Sequence, residues 1–451
     1  MNVYIPNGEV QRRRMLEAIG VGSVEDLLSD VPSGVRLARK LDLPPPASEL
    51  ELTAEFRRLE KANTGAGLIC FAGAGAYDHY IPAAIDHVLL RSEFFTAYTP
   101  YQAEASQGTL QAIFEYQTMI ARLCGTEMAN ASMYDGATSA AEAALMAIRI
   151  TGKEKVLAAS TLNPSWFEVM ETYLLRAGFG LEEVPAGADG RIDRDALRGM
   201  LGNGVAALVV QYPSYYGLVE DLRPLAEAVH QAGGLLVTAA DPVALAMLRT
   251  PGSAGADVVV GEGQPMGIPM SYGGPYAGFM ATALKLARKM PGRIIGRTVD
   301  RAGETGYVMT MQTREQHIRR EKATSNICTN QALMALANTL YLSLTGELGF
   351  REIARQCYHR SHYLERRMLE EVQGSSRIFP GTPFFREFTL RLPVRAADFV
   401  DSMADRGFLA GVPVPQLGAD AILVTATEKR TREEIEAYAT GAASLCREVS
   451  G

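Results

Sequence analysis

LLVTAADPVALAMLRTPGSAGADVVVGEGQ, residues 235–264, contains two short apolar runs on either side of a segment with two prolines. Comparable runs stand at 156–159 and 206–210, and amphipathic segments such as 222–230 lie between such runs. The runs are continuously apolar rather than alternating, which is typical of parallel strands covered by helices on both faces. The pattern therefore predicts an α/β fold with a mostly parallel central sheet flanked by helices.

The first part of the chain has a different character. Residues 1–65 predict short helices, because Ser23 precedes an acidic turn and Ser48 has Glu51 three positions later, which is the spacing of a capping box. Prolines separate these helices. We expect this segment to form an arm that packs across a neighbouring domain or subunit.

The last part of the chain predicts a smaller α+β region. A long helical pattern begins after Gln331, and strand-like runs follow near 387–392 and 421–426. A chain of 451 residues is also too long for one typical hydrophobic core. The predicted organisation is therefore a helical N-terminal arm (1–65), a large α/β domain (66–330) and a small C-terminal α+β domain (331–451).

Composition excludes several classes of protein. The net charge of -7, with acidic and basic residues mixed along the chain, argues against a nucleic-acid or anionic-lipid surface. The five cysteines lack any CxxC pairing, and His359 and His362 are not convincing as a metal pair, so we expect neither a disulfide framework nor a metal site. No signal layout or membrane span is evident, so a soluble, cytoplasmic protein is expected.

A glycine-containing turn at 133–139 opens the predicted helix that includes residues 142–149. Such a turn can hold a phosphate on the free amides of the helix N-terminus. Asp135 weakens that interpretation, because a carboxylate there would occupy the positive helix end and repel a phosphate. Self-capping by Asp135 is the favoured prediction, with anion binding as the alternative.

Asp241 ends the strand-like run at 235–240, where pyridoxal-phosphate (PLP) enzymes of fold type I place the acid that pairs with the pyridine nitrogen. An Asp before Pro242 is also a common turn, and that interpretation is favoured for this residue alone. Enzymes of this fold bind PLP through a lysine after the next strand, but the corresponding segment carries Gln264. No lysine occurs between Lys155 and Lys285, and Lys285 is predicted to be a solvated residue of a helical run from Ala281.

Three polar runs interrupt otherwise apolar surroundings, at 96–108, 211–217 and 324–331. Clusters of hydroxyl and amide side chains either cap helices or line a polar site. The residues alone favour neither alternative.

Those three runs, together with 71–82, 323–333 and Tyr4-Ile5-Pro6-Asn7, resemble the signature segments of the glycine decarboxylase P-protein family. The resemblance extends essentially from end to end and is closest to the α-chain, or subunit 1, of the split form. It implies the PLP-dependent transferase fold of type I. It also implies a glycine cleavage system in which glycine loses carbon dioxide and its aminomethyl group passes to lipoamide on the H-protein.

In the split form the resemblance implies that a β-chain carries the His-Lys pair that binds PLP and that the chains assemble as α2β2. Gln264 stands at the lysine position here, so no catalytic residue, bound cofactor or metal is expected in this chain. We hypothesise that polar residues of two runs face the β-chain's site and shape the pocket for glycine or the lipoyl arm: Tyr98, Thr99, Tyr101, Gln102, Thr324, Ser325 and Asn326. The alternative is that they only cap helices at the interface.

Two other functions stay open. The chain could be an autonomous PLP enzyme, such as an aminotransferase, that uses an unrecognised lysine, with Lys285 and Lys322 as candidates. It could also be a scaffold or regulatory subunit that contributes nothing to the chemistry.

Overall fold

The computed structural model describes residues 7–37 and 39–450, without the side chains of 449 and 450. Contacts between Cα atoms divide the chain into two compact units, residues 1–64 and 65–451. Tyr4, Ile5 and Pro6 of the N-terminal motif lie outside the described residues. The predicted boundaries at 65/66 and 330/331 stay predictions.

The first unit consists of short helices with exposed apolar side chains. It contains α1 (Glu9–Ile19) and α2 (Glu49–Ala62), with 3-10 turns at Glu25–Leu28 and Ser33–Val35 between them. The capping box at Ser48 is confirmed, because Ser48 Oγ accepts a hydrogen bond from Glu51 N and Glu51 Oε2 accepts one from Ser48 N. Neither α-helix of this unit buries a residue.

The second unit contains the remaining α-helices and all the strands of the described chain. The helices are α3 (Ala83–Leu89), α4 (Ser92–Phe95), α5 (Gln107–Cys124), α6 (Gly136–Thr151), α7 (Pro164–Arg176), α8 (Arg194–Met200), α9 (Leu222–Gln231), α10 (Gln316–Arg319), α11 (Ala332–Glu371), α12 (Ala396–Ala404) and α13 (Arg432–Ser450). Helix α5 ends at Gly125, which adopts the left-handed conformation. Helix α11 confirms the long helix predicted after Gln331 and bends at Gly346.

A seven-stranded sheet forms the centre of this unit, in the order β2-β8-β7-β6-β5-β3-β4. Its strands are β2 (Met128–Ala129), β3 (Lys155–Ala159), β4 (Gly180–Val184), β5 (Val205–Tyr212), β6 (Leu235–Ala240), β7 (Val258–Glu262) and β8 (Gly278–Thr282). Strand β8 is antiparallel to both of its neighbours, and the other pairs are parallel. The mostly parallel sheet predicted from the apolar runs is confirmed.

One local prediction is partly wrong. The helical run predicted from Ala281 begins later, because Ala281 and Thr282 belong to β8 and pair with Val259 and Val258 of β7, respectively. Only a 3-10 turn at Leu284–Lys289 follows. Lys285 is exposed on that turn, as predicted for a solvated residue.

Eight further strands of the described residues lie outside this sheet. They are β1 (Ile69–Cys70), β9 (Ile294–Val299), β10 (Thr305–Thr310), β11 (Ser376–Arg377), β12 (Glu387–Arg391), β13 (Phe408–Leu409), β14 (Val412–Pro413) and β15 (Ala421–Thr425). Strands β11, β12, β15 and β14 form an antiparallel sheet, packed with α12 and α13 around Phe388 and Tyr438. This sheet confirms the strands predicted near 387–392 and 421–426.

Candidate functional site

The carboxyl ends of β6 and β7 meet at the cleft where an open parallel sheet binds its ligands. Asp241 follows β6, and its Oδ1 accepts a hydrogen bond from Val243 N at 3.0 Å, which confirms the turn interpretation. Its Oδ2 lies 2.7 Å from Nη2 of Arg386. The acid that the sequence places opposite a cofactor ring is therefore already paired with a guanidinium group of the same chain.

Arg386 is 1% exposed and lies over the ring of Tyr77, with 3.5 Å between Cζ and the ring centroid. Burial alone would lower the pKa of this guanidinium, but the charge of Asp241 raises it above its usual value. Beside it, the carboxylate of Glu387 accepts hydrogen bonds from the Tyr77 hydroxyl at 2.6 Å and from Ala74 N at 2.7 Å. Burial raises the pKa of Glu387 to about 7. The part of the cleft above Asp241 is thus filled by side chains.

Gln264, at the position expected for a lysine, is also 1% exposed. Its side-chain oxygen accepts a hydrogen bond from Tyr77 N at 2.9 Å, and its amide nitrogen donates to Tyr77 O at 3.0 Å and to Ile268 O at 2.9 Å. The residue clamps the backbone at Tyr77 and uses both donors of its amide group in doing so. Gln264 therefore has a structural role in this cleft.

Glu262, the last residue of β7, binds the amide at the start of helix α6. Its Oε2 accepts a hydrogen bond from Gly136 N at 2.9 Å, and Oε1 accepts from Gln264 N and Ala277 N, each at 3.0 Å. Burial raises the pKa of this carboxyl to about 7, against the effect of those three bonds. Its carboxylate thus takes one of the helix N-terminal amides that could otherwise bind a phosphate.

Asp135 caps the same helix. Its Oδ1 accepts a hydrogen bond from Thr138 N at 2.8 Å, and Asp135 N donates to Thr138 Oγ1 at 3.3 Å. Self-capping, favoured by the sequence, is confirmed. Sequence reasoning missed Glu262, although its position between Gly261 and Gly263 at a strand end was a usable signal, because glycines allow a close approach of backbone amides.

A second buried network stands next to Arg386. His79 Nδ1 lies 2.6 Å from Glu428 Oε2, and Cys357 Sγ lies 3.4 Å from the same oxygen. These three side chains are close enough to share a metal ion, but the Arg386 guanidinium contacts Nε2 of His79. Burial would raise the pKa of Glu428, yet the hydrogen bond and charge of His79 bring it down to about 2. A cation beside a guanidinium is electrostatically disfavoured, so this group is best described as a buried hydrogen-bonded network.

The structure brings two of the predicted polar runs together through a residue that the sequence did not single out. Arg293 Nη1 donates to Thr329 Oγ1 and Asn330 Oδ1, each at 3.1 Å, and Nη2 donates to Cys328 O at 2.8 Å. Its Cζ also lies 5.8 Å from the ring centroid of Tyr101. Arg293 therefore joins the 324–331 run to the 96–108 run.

The predicted pocket residues differ in exposure. Tyr98 is 81% exposed and Tyr101 is 53% exposed. Gln102 and Asn326 are exposed, whereas Thr99, Thr324 and Ser325 are half-buried, and Ser325 Oγ donates to Glu142 Oε1 at 2.7 Å. Their role at a partner's site stays a prediction.

The third polar run, 211–217, has a structural role. Gln211 Oε1 accepts a hydrogen bond from Asn163 N at 2.7 Å, and Ser214 is buried. Gly217 has a φ of 81°, and a Cβ added to it would lie 1.9 Å from Glu387 O. This run is packed against β12, and whether it also caps a helix or lines a polar site stays open.

The described residues include no helix that is long and apolar enough to cross a membrane.

Lys322, the other lysine considered for cofactor binding, is exposed like Lys285. The lysines considered on sequence grounds are therefore solvated rather than enclosed in the cleft.

Comparisons with known proteins agree along nearly the whole chain. The family model described as glycine cleavage system P-protein matches residues 2–440. A probable glycine dehydrogenase (decarboxylating) subunit 1 of Desulforamulus reducens is 50% identical over 441 residues, covering 97% of this chain and 98% of that protein. The corresponding protein of Chlorobium limicola is 48% identical over 443 residues, covering 98% of this chain and 100% of that protein.

Solved structures give the same result. A crystal structure of glycine decarboxylase (P-protein) of the glycine cleavage system, in inhibitor-bound form, superposes with a TM-score of 0.90 at 43% identity, covering 98% of this chain and 99% of that chain. A sphingosine-1-phosphate lyase of Burkholderia pseudomallei, with a TM-score of 0.64 and 14% identity over 93% of this chain and 94% of that one, shares the fold alone. The predicted PLP-dependent transferase fold of type I is confirmed.

Proposed function

Because the chain belongs to the glycine cleavage system P-protein family, we propose that it is the α-chain of a two-chain glycine dehydrogenase (decarboxylating). Its partner is a β-chain that carries PLP, and the two chains assemble as α2β2. The enzyme decarboxylates glycine and transfers the aminomethyl group to the lipoyl arm of the H-protein. The observation that carries this proposal is the cleft at the ends of β6 and β7, which keeps the fold of a PLP enzyme but is filled by its own side chains.

We further propose that this chain holds no PLP. The group needs a lysine, free amides at a helix N-terminus and an unpaired acid for its ring nitrogen. The support is that Gln264 stands at the lysine position, Glu262 binds Gly136 N, and Asp241 is paired with Arg386. These residues do not fit the cofactor, so the isolated chain should be inactive.

The contribution of this chain to turnover is proposed to come from the seven predicted pocket residues, which face the β-chain's site. Exposed tyrosines such as Tyr98 and Tyr101 are characteristic of residues that become buried at a protein interface. Arg293, whose guanidinium lies over Tyr101, binds Cys328 O, Thr329 and Asn330 of the run that also contains the half-buried Thr324 and Ser325. Such an arrangement suits orientation of a small polar substrate at an interface.

We place the enzyme in the cytoplasm, consistent with cysteines that are all free.

The test is reconstitution. The chain is purified alone and with the PLP-carrying β-chain, and the exchange of bicarbonate carbon into glycine is measured for both. We expect exchange only in the mixture. Exchange by the isolated chain, with borohydride trapping of PLP on Lys285 or Lys322, would support an autonomous enzyme instead.

Variants separate a contribution to the pocket from a scaffold role. We expect Tyr98→Ala and Asn326→Ala to reduce turnover of the assembled enzyme at least about tenfold, which corresponds to about 1.4 kcal/mol of transition-state stabilisation. Leu175→Ala and Asn203→Ala, which alter exposed residues outside the polar runs, are the matched controls. Unchanged turnover with intact assembly would make this chain a scaffold.

A further inference from the structure

A small cavity of about 10 Å³ lies beside the segment that follows β10. Its walls include Arg293, Arg314, Glu315, Thr324 and Cys328. A volume of this size admits about one oxygen atom, of water or of a ligand. The notable property of the cavity is that two guanidinium groups line it.

Both arginines keep a buried nitrogen without a hydrogen-bond partner. Arg293 is 6% exposed, and its Nε has no partner although Nη1 and Nη2 bind the 328–330 backbone and side chains. Arg314 donates from Nε to Met311 O at 3.1 Å and from Nη2 to Gly292 O at 2.9 Å, but its Nη1 is buried and unpartnered. Buried N–H groups of this kind are costly unless an acceptor reaches them.

The charges around the cavity favour an anion. Neither guanidinium forms a salt bridge with any carboxylate of the described residues. Burial lowers the pKa of Arg314, while the charge of Glu315, the acid in the cavity wall, raises it. Glu142 lies beneath Ser325, and burial raises the pKa of its carboxyl. Two guanidinium groups therefore face one carboxylate in the wall, and the balance is positive.

We propose that this cavity binds the carboxylate of a small organic acid, with one oxygen held between Arg293 and Arg314. A charge-assisted hydrogen bond to such an oxygen would satisfy the two unpartnered nitrogens. Only one oxygen of the ligand can enter the cavity, so the second carboxylate oxygen would lie outside it. The inference rests in part on the proposed function, because Thr324 and Ser325 of the cavity wall are also proposed pocket residues, but the site requires neither PLP nor a β-chain and is testable on this chain alone.

Cys328 supplies a reporter in the cavity wall. It is the exposed cysteine, and the other four are buried, so alkylating reagents will react at this thiol. The experiment compares the rates of alkylation of the full-length chain by iodoacetate and by iodoacetamide. In each case the Cys328 sulfur forms a bond to carbon and iodide leaves. The two reagents differ in charge, so the ratio of their rates reports the local potential.

We expect Arg314→Gln to lower the iodoacetate-to-iodoacetamide ratio about threefold to tenfold, the effect of one charge a few ångströms away in a partly solvated site. Arg314→Lys should keep most of the ratio, and Arg301→Gln, at an exposed turn, is the matched control. A segment loosened by the substitution would change both rates alike and leave the ratio unaffected.

Formate, the smallest carboxylate, should slow both reagents in the wild-type chain but not in the Arg314→Gln chain. Formamide, its neutral analogue, and sodium chloride at the same ionic strength should protect little. Equal protection by formate and formamide, or an unchanged ratio in Arg314→Gln, would overturn the proposal. Protection by phosphate as strong as that by formate would overturn the carboxylate class. All of these measurements use the chain alone. A failure to reconstitute activity with a β-chain would therefore contradict the proposed function without changing their outcome.

Discussion

Asp241 and Arg386 form an ion pair in the interior, with 2.7 Å between Oδ2 and Nη2. They are contributed by the turn after β6 and by the residue before β12, so the pair connects the large sheet to the small antiparallel sheet. Tyr77 lies beneath the guanidinium group. Asp241 thus stabilises the contact between the two sheets.

Breaking this pair should be strongly destabilising, because it leaves an uncompensated buried charge. We expect Arg386→Met to lower the free energy of unfolding by about 3–5 kcal/mol, measured by urea denaturation. The matched control is Arg391→Met, which removes the more exposed pair with Asp420 and should change stability by about 0–1 kcal/mol. Equal losses in the two variants would contradict the structural role assigned to Arg386.

Glu262 predicts a pH dependence of stability. Burial raises its pKa from 4.5 to about 7 in the folded chain. Between these values the folded chain holds a proton that the unfolded chain has released, so the free energy of unfolding falls as pH rises through this window. One such carboxyl contributes at most about 3 kcal/mol to this fall.

Glu262→Gln should therefore reduce the loss of stability between pH 5 and pH 8, measured by urea denaturation, by up to about 3 kcal/mol. Glu220 and Glu387, whose pKa values are also raised to about 7, will maintain part of the decline. Glu60→Gln, at an exposed position of α2, is the control and should leave the profile unchanged. An unchanged profile in Glu262→Gln would show that this carboxyl does not titrate in that window.

Two glycines with almost the same backbone angle provide a test of packing in the 211–217 run. Gly217 and Gly381 have φ values of 81° and 79°, but a Cβ would meet Glu387 O at 1.9 Å in the first and nothing within 4 Å in the second. Gly381→Ala should lower the free energy of unfolding by about 1 kcal/mol, because alanine disfavours the left-handed conformation. Gly217→Ala should lower the free energy of unfolding by at least about 3 kcal/mol, because its Cβ would also clash with Glu387 O. Thermal or urea unfolding measures both losses. Similar losses of stability in the two variants would mean that the backbone at Glu387 can shift at little energetic cost.

Restoring the lysine by itself should not restore the cofactor site. In Gln264→Lys, Glu262 still binds the first amide of α6 and Arg386 still neutralises Asp241. The substitution also removes three hydrogen bonds to Tyr77 and Ile268, so we expect a loss of about 2–4 kcal/mol in stability. The measurement is visible absorbance after incubation with PLP, with borohydride reduction and peptide mass analysis. A PLP adduct at residue 264 would contradict the expectation.

Local sequence was sufficient for much of this protein. Continuous apolar runs specified the inner strands β3, β5, β6 and β7, because burial of both sheet faces favours apolar side chains. Strand β4 lies at the sheet edge, contains Glu182 and Glu183, and was not predicted. The capping of α6 by Asp135 was also predictable, since it depends on residues three positions apart. The missing lysine at Gln264 needed only the order of strands along the chain.

The tertiary structure decided how the cleft is filled. Glu262 reaches Gly136 across 126 positions, and Glu387 reaches Tyr77 across 310 positions. The same holds for Arg293, whose guanidinium joins two polar runs that are far apart in sequence. No local pattern encodes such pairs. A long polar side chain forms these hydrogen bonds only after folding has brought distant segments together and removed the water that competes for them.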